Sequence, residues 1–443
     1  MKWLLAVFIQ TALITLILTS QISESVQHGL IILSLIAHAW LAELFPLSVT
    51  ALLVPVLAVA FNVMDLKVAL LSFAHPIIFL FLGGFALAAT LHEHKLDQHF
   101  AHILMLKAKN NGLVICLILF SLTAFLSMWI SNTATTVMML PIALGLMSHL
   151  EYEKHKTVFA FLLLGIAYSA NIGGIATIVG SPPNAIAASA LGLSFYEWLI
   201  IALPISLVLL PLMWGILYTY LKPNLTLFKS EIAEVQSFAW SRQRILAIII
   251  FITTASLWIF GDFIQGILGK IADFDSWIAI IAIVVLHASK SLSWKAFENN
   301  TQWGVLLLFG GGLALSAVLS ATGANLYLAQ QLEMLSAGLS LYWLLLLVIL
   351  FIIFMTEISS NTALSALMIP TFMGMADVMG LDTTMIVSAI AIAASCAFIL
   401  PVATPPNAIV FSSGYIPQNT MMKVGLILNL IFSMIITSYM FWL

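Results

Sequence analysis

Apolar runs of about twenty residues, each long enough to cross a bilayer core of roughly 30 Å, recur along this chain of 443 residues from one end to the other. That recurrence leaves few options. In lipid every backbone polar group must be bonded within the protein, which selects bundled helices. Composition agrees. Apolar residues make up 62% of the chain and charged residues 7%, whereas a soluble domain carries about a quarter charged residues. No segment reads as a soluble domain, so residues 1–443 form a single membrane domain. The net charge of −3 comes without a basic patch, which argues against a nucleic-acid partner. Cys116 and Cys396 both sit in apolar runs, which excludes a disulfide framework and a thiolate metal cluster. The first run, Trp3 to Leu18, follows a single Lys2 and lacks an A-x-A cleavage site, so it reads as a retained helix.

The expected fold is an all-α polytopic membrane protein. Spans are expected near 3–19, 28–43, 46–63, 74–93, 157–178, 195–221, 244–261, 275–289, 303–323, 384–402 and 423–442. Two more apolar stretches, 112–148 and 340–375, are interrupted at their middle by Ser-Asn-Thr. An unbroken span would expose that triplet to lipid; a re-entrant hairpin buries it at a tip lining a cavity. This gives eleven transmembrane helices and two hairpins. With the N-terminus cytoplasmic and the C-terminus outside, 13 of the 15 Lys and Arg fall on the inner side and only Lys67 and Lys270 outside. The positive-inside rule favours that layout.

The chain also repeats itself. Phe81 to Ala88 matches Phe309 to Ser316, Ser131-Asn132-Thr133-Ala134 matches Ser360-Asn361-Thr362-Ala363, and Ser181-Pro182-Pro183-Asn184 matches Thr404-Pro405-Pro406-Asn407. The three matches share one order at nearly one offset. Residues 28–222 form the first repeat and 243–443 the second, with 1–27 an extra first helix and 223–242 a cytoplasmic linker. Five crossings in each repeat is an odd number, so the two lie inverted. Inverted repeats with helices interrupted at corresponding places mark a secondary transporter, with its site at the repeat interface.

Each repeat brings two breaks to that interface. Paired prolines end helical bonding and leave carbonyls unpaired. Carbonyls together with Ser, Thr and Asn oxygens suit a small hard cation. The helix N-termini at the same breaks suit an anion. The layout puts no Lys or Arg at the midplane, so a dianion there must be balanced by dipoles and co-bound cations. Glu357 is the one carboxylate beside a triplet, read either as a cation attractor or as a structural hydrogen-bond acceptor.

The two Ser-Asn-Thr hairpins and paired Pro-Pro-Asn breaks resemble the divalent anion–sodium symporter family, which includes sodium–dicarboxylate and sodium–citrate cotransporters. The resemblance covers essentially the whole chain. It implies a first sodium held by Ser127, Ser131, Asn132 and the Gly180 carbonyl, and a second held by Thr356, the Ser359 carbonyl, Asn361 and the Ala403 carbonyl. It implies substrate carboxylates on Asn132, Thr133, Ser181 and Pro182 from one side, and on Ser360, Asn361, Thr362, Thr404 and Pro405 from the other. Sodium-coupled symport of C4-dicarboxylates such as succinate, malate and fumarate follows, with no organic cofactor. The family also implies a homodimer in the plasma membrane, the inner membrane of a bacterium, and an elevator-like movement. Lys95–Lys109 and Ala324–Leu335 fit as its connecting arms.

Other classes fit less well. His92, Glu93, His94, His99 and His102 could suggest a membrane metalloenzyme, yet His92 and His94 diverge on a helix and the stretch lies at a water interface. A passive channel does not need inverted re-entrant tips. Within the transporter class the rivals are a sodium-independent exchanger and a citrate or sulfate carrier.

Overall fold

The computed structural model describes residues 2–107, 111–227, 239–335 and 338–443. It is helical, with no strand among the described residues. The helices of the first half are α1 (Lys2–Thr19), α2 (Glu24–Leu41), α3 (Leu47–Ala60), α4 (Leu66–Leu71), α5 (Pro76–Glu93), α6 (Leu96–Lys107), α7 (Gly112–Ser127), α8 (Asn132–Leu146), α9 (Tyr152–Gly173), α10 (Pro182–Leu191) and α11 (Phe195–Leu221). Those of the second are α12 (Arg242–Ile259), α13 (Gly261–Leu268), α14 (Phe274–Ala288), α15 (Trp294–Asn300), α16 (Trp303–Thr322), α17 (Ala324–Leu335), α18 (Leu341–Thr356), α19 (Asn361–Met379), α20 (Thr383–Ala394), α21 (Pro405–Ser412) and α22 (Gln418–Trp442). Most of the expected linker 223–242 lies outside the described residues.

Seven helices among the described residues are long and apolar enough to cross a membrane, and seven shorter apolar helices accompany them. Many large apolar side chains stay exposed on the outside of the bundle, such as Ile249, Ile252 and Phe263. Lipid is their natural solvent. This is a multi-pass membrane protein.

Two expected spans end early. Helix is expected to Ile178 and to Val402, but α9 stops at Gly173 and α20 at Ala394. Proline explains only the last few residues of each unwound stretch, because it disturbs the carbonyl four positions back. The earlier carbonyls have left the helix because side-chain amides receive them, as described below. Each Ser-Asn-Thr stretch is two helices parted at the triplet, α7 and α8 in one case and α18 and α19 in the other. The serine of each triplet caps the following helix, Ser131 Oγ accepting the Ala134 N–H and Ser360 Oγ that of Ala363.

The two most extensive helix contacts pair α5 with α14 and α3 with α16. The repeated Gly-Gly motif makes both possible. A Cβ on Gly83 would stand 2.6 Å from that of Ala279, and one on the matching Gly311 would stand 2.5 Å from that of Ala51. Phe81 and its counterpart Phe309 meet edge to face, ring centres 5.0 Å apart. The other centre of the bundle is α9, which is buried along most of its length, whereas most of α12 is not. The helix breaks hang from α9 and its counterpart α20.

The histidine-rich stretch does divergent work at one end of this frame. His92 Nδ1 lies 3.3 Å from Asp97, His94 Nε2 sits 2.8 Å from the Ser291 carbonyl, and Glu93 accepts both Ser293 donors. These contacts tie α5 and α6 to the start of α15. The His102 side chain lies outside the described residues. In α6, Leu96 is buried while Phe100 and Ile103 are exposed; Leu104 lies outside the described side chains.

Candidate functional site

The tips of the two broken stretches carry matching oxygen clusters. Ser127 Oγ lies 2.6 Å from Asn132 Oδ1 and 2.8 Å from the Ala170 carbonyl. Thr356 Oγ1 lies 2.5 Å from Asn361 Oδ1 and 3.0 Å from the Ala394 carbonyl. A hydroxyl has one proton, so it cannot satisfy two acceptors at once. With the asparagine oxygen inward, each cluster is short of hydrogens. At the first tip, the amide end of Asn132 that faces Ser127 also stands 3.2 Å from the Gly180 and Ala170 carbonyls. With nitrogen inward its two protons serve two of these oxygens and Ser127 can donate its own proton to the Ala170 carbonyl; with oxygen inward, four oxygens converge and suit a cation. Ser127 and Thr356 are fully buried behind the tips.

The unwound stretches are held by the motif asparagines. Asn184 Nδ2 donates to the carbonyls of Gly174, Ile175 and Thr177 at 2.7 to 3.0 Å. Asn407 Nδ2 donates to those of Ala397 and Leu400 at 3.0 and 3.2 Å. In the second half the released N–H groups find a carboxylate as well. Glu357 accepts from Phe398, Ile399 and Leu400 at 2.8 to 2.9 Å and from Asn429 Nδ2 at 2.7 Å. Of the two roles expected for Glu357, this geometry fulfils the structural one.

Tips and breaks line one cavity of about 640 Å³. All the expected site residues line it except Ser127 and Thr356: Ser131, Asn132, Thr133, Gly180, Ser181 and Pro182 from the first half, and Ser359 through Thr362 with Ala403, Thr404 and Pro405 from the second. Four helices, α8, α10, α19 and α21, begin at residues on its wall. The first-turn N–H groups of a helix have no intrahelical partner, and the positive dipole ends favour negative charge there. The prolines at the start of α10 and α21 bring no N–H, so the backbone donors come from α8 and α19. Among the described residues, no Lys or Arg lines the cavity.

Three features of this site escaped the sequence. The carbonyls of Ala170 and Ala394 complete the oxygen clusters, and carbonyl position carries no residue signature. Asn171 lines the cavity while donating to Thr404 Oγ1 at 3.1 Å and Asn407 Oδ1 at 3.3 Å. Its position, two residues before the end of α9, was the only available signal. Ala42, Glu43 and Gln302 line the cavity from outside the repeated motifs.

A helical membrane bundle in which two pairs of broken helices converge on one polar cavity defines a secondary transporter. The family model described as citrate transporter, CitMHS, matches residues 31–393, and the chain belongs to that family. An uncharacterized transporter of Haemophilus influenzae is 50% identical over 94% of this chain and 92% of its own length. The sodium-dependent dicarboxylate transporter SdcS of Staphylococcus saprophyticus is 32% identical, over 92% and 84% respectively. These relatives accord with the divalent anion–sodium symporter family expected from the motifs. Among solved structures, the YdaH transporter of Alcanivorax borkumensis superposes with a TM-score of 0.56 at 15% identity, over 84% of this chain and 87% of that one, a likeness of fold alone.

Proposed function

We propose that the protein is a sodium-coupled symporter of small organic dianions of the C4-dicarboxylate class. The observation that carries this is the pair of matching polar clusters, each of a hydroxyl, an asparagine amide and a backbone carbonyl, flanking a cavity that no Lys or Arg lines among the described residues. Two sodium ions there supply the positive charge that a dianion needs, and the helix ends supply donors. In this reading the first ion takes Ser127, Asn132 and the Gly180 carbonyl with Ser131 at its edge. The second takes Thr356 and Asn361 with the Ser359 and Ala403 carbonyls. The relative that transports dicarboxylates with sodium supports the substrate class. The positive-inside bias supports eleven crossings in inverted halves with a cytoplasmic N-terminus. The motif resemblance supports a homodimer and an elevator-like movement.

The description of the matching family favours a second reading, a citrate carrier. Uptake of labelled succinate into proteoliposomes separates the two. We expect uptake to need external sodium, with neither potassium nor choline substituting, and unlabelled succinate to compete better than citrate or sulfate. Preferential competition by citrate selects the second reading. Equal counterflow of substrate without sodium makes the protein an exchanger and removes the first.

A further inference from the structure

We infer that Asn171 is a positioning residue for the anion site, whose amide turns the Thr404 hydroxyl into a donor of fixed direction. The inference rests on the proposed anion transport and adds a polarity to one half of its site. Carbonyls can only accept, so those of Ala397 and Leu400 orient the Asn407 amide with its nitrogen toward them. That leaves Asn407 Oδ1 as an acceptor on the opposite side, where it takes Asn171 Nδ2. The same nitrogen therefore meets Thr404 Oγ1 as a donor, at 3.1 Å. Thr404 Oγ1 also accepts the Asn407 backbone N–H at 3.2 Å. A hydroxyl has two acceptor lone pairs and one proton. Both lone pairs are occupied, and among the described residues no protein acceptor takes the proton. Thr404 lines the cavity, so an arriving carboxylate meets a hydroxyl that already points its proton outward. Donors set in advance cost no reorientation when charge arrives.

The first half has the same motif without this relay. The residue after Ala394 is Ser395, the counterpart of Asn171 after Ala170; it reaches the break hydroxyl of Ser181 but makes no contact to Asn184 that would fix a direction. Asn184 Oδ1 is buried without a partner, and Ser181 Oγ meets only Ser395 Oγ at 3.4 Å, where either can donate. The relay thus makes the two ends of the anion site unequal.

A double-mutant cycle in proteoliposomes tests this, run with whichever of succinate, citrate or sulfate the wild type takes up. A wrong substrate class then overturns the functional reading and leaves the cycle readable. Asn171→Ala is expected to raise substrate KM about tenfold, the worth of one hydrogen bond to a charged group. The half-saturating sodium concentration should stay unchanged. In a Thr404→Val background the same substitution should add nothing. Asn171→Ser, which gives this half the residue type found at Ser395, provides a second variant if the alanine protein does not fold, with sodium-dependent thermal stabilisation in detergent as the check on both. An equal KM rise in the Thr404→Val background shows that Asn171 acts on its own and overturns the inference. So does a shift in sodium half-saturation at constant substrate KM.

Discussion

The two halves carry nearly the same motifs and hold their breaks in different ways. In the first half, Thr177 Oγ1 donates to the Met128 carbonyl and accepts the Gly180 N–H, and the unwound N–H groups of Ile175 and Ala176 return to Ile172 and Gly173. In the second, Glu357 stands where Met128 stands, and its carboxylate gathers three consecutive N–H groups. One break is supported by its own backbone and Thr177, the other by a buried carboxylate reaching from the break between α18 and α19. The second half also satisfies Asn407 Oδ1, whereas Asn184 Oδ1 in the first has no partner among the described residues. A repeated motif preserves the shape of a site, and the neighbours outside it decide how rigid each copy is.

The largest expected effect probes that difference. Glu357→Ala leaves three N–H donors and the Asn429 amide without their acceptor, and each unmet buried group costs about 1–3 kcal/mol. Folded yield in detergent should collapse, while Met128→Ala should leave a stable protein. Equal tolerance of both would show that the two breaks are held alike.

Next come the tips. Asn132→Ala and Asn361→Ala remove an oxygen shared by cluster and cavity, and transport should be lost at any sodium concentration. Ser127→Ala and Thr356→Ala remove a hydroxyl buried behind the cavity, costing about 1–3 kcal/mol. These should raise the sodium needed for half-maximal uptake, with saturating sodium restoring apparent substrate affinity. Well-folded proteins with unchanged sodium curves would move the ion sites elsewhere.

The smallest effect compares the two break hydroxyls. Thr404→Val loses a cap, worth about 1 kcal/mol, together with the preset donor, whereas Ser181 makes no cap bond. Substrate KM should rise several-fold more for Thr404→Val than for Ser181→Ala. Equal rises would mean that the Asn171 relay does not distinguish the halves.

Much of this was legible in the sequence because it is local. Apolar length dictates membrane helices, paired prolines dictate breaks, and Ser-Asn-Thr caps a new helix, so both tips and both breaks stand where their residues predict them. The lengths of the unwound stretches were not legible, since Asn184 and Asn407 capture carbonyls up to ten residues before them. Glu357 could be read two ways until its partners, 41 to 72 residues away, came into view. Asn171 gave no warning of a role, because Thr404 lies 233 residues further along the chain. Amino-acid type sets which groups can donate, accept or break a helix, and in this protein that alone dictated the membrane fold and the kind of atoms at its centre. Which carbonyl or hydroxyl each group meets depends on the path of distant backbone, and only the tertiary structure decided that.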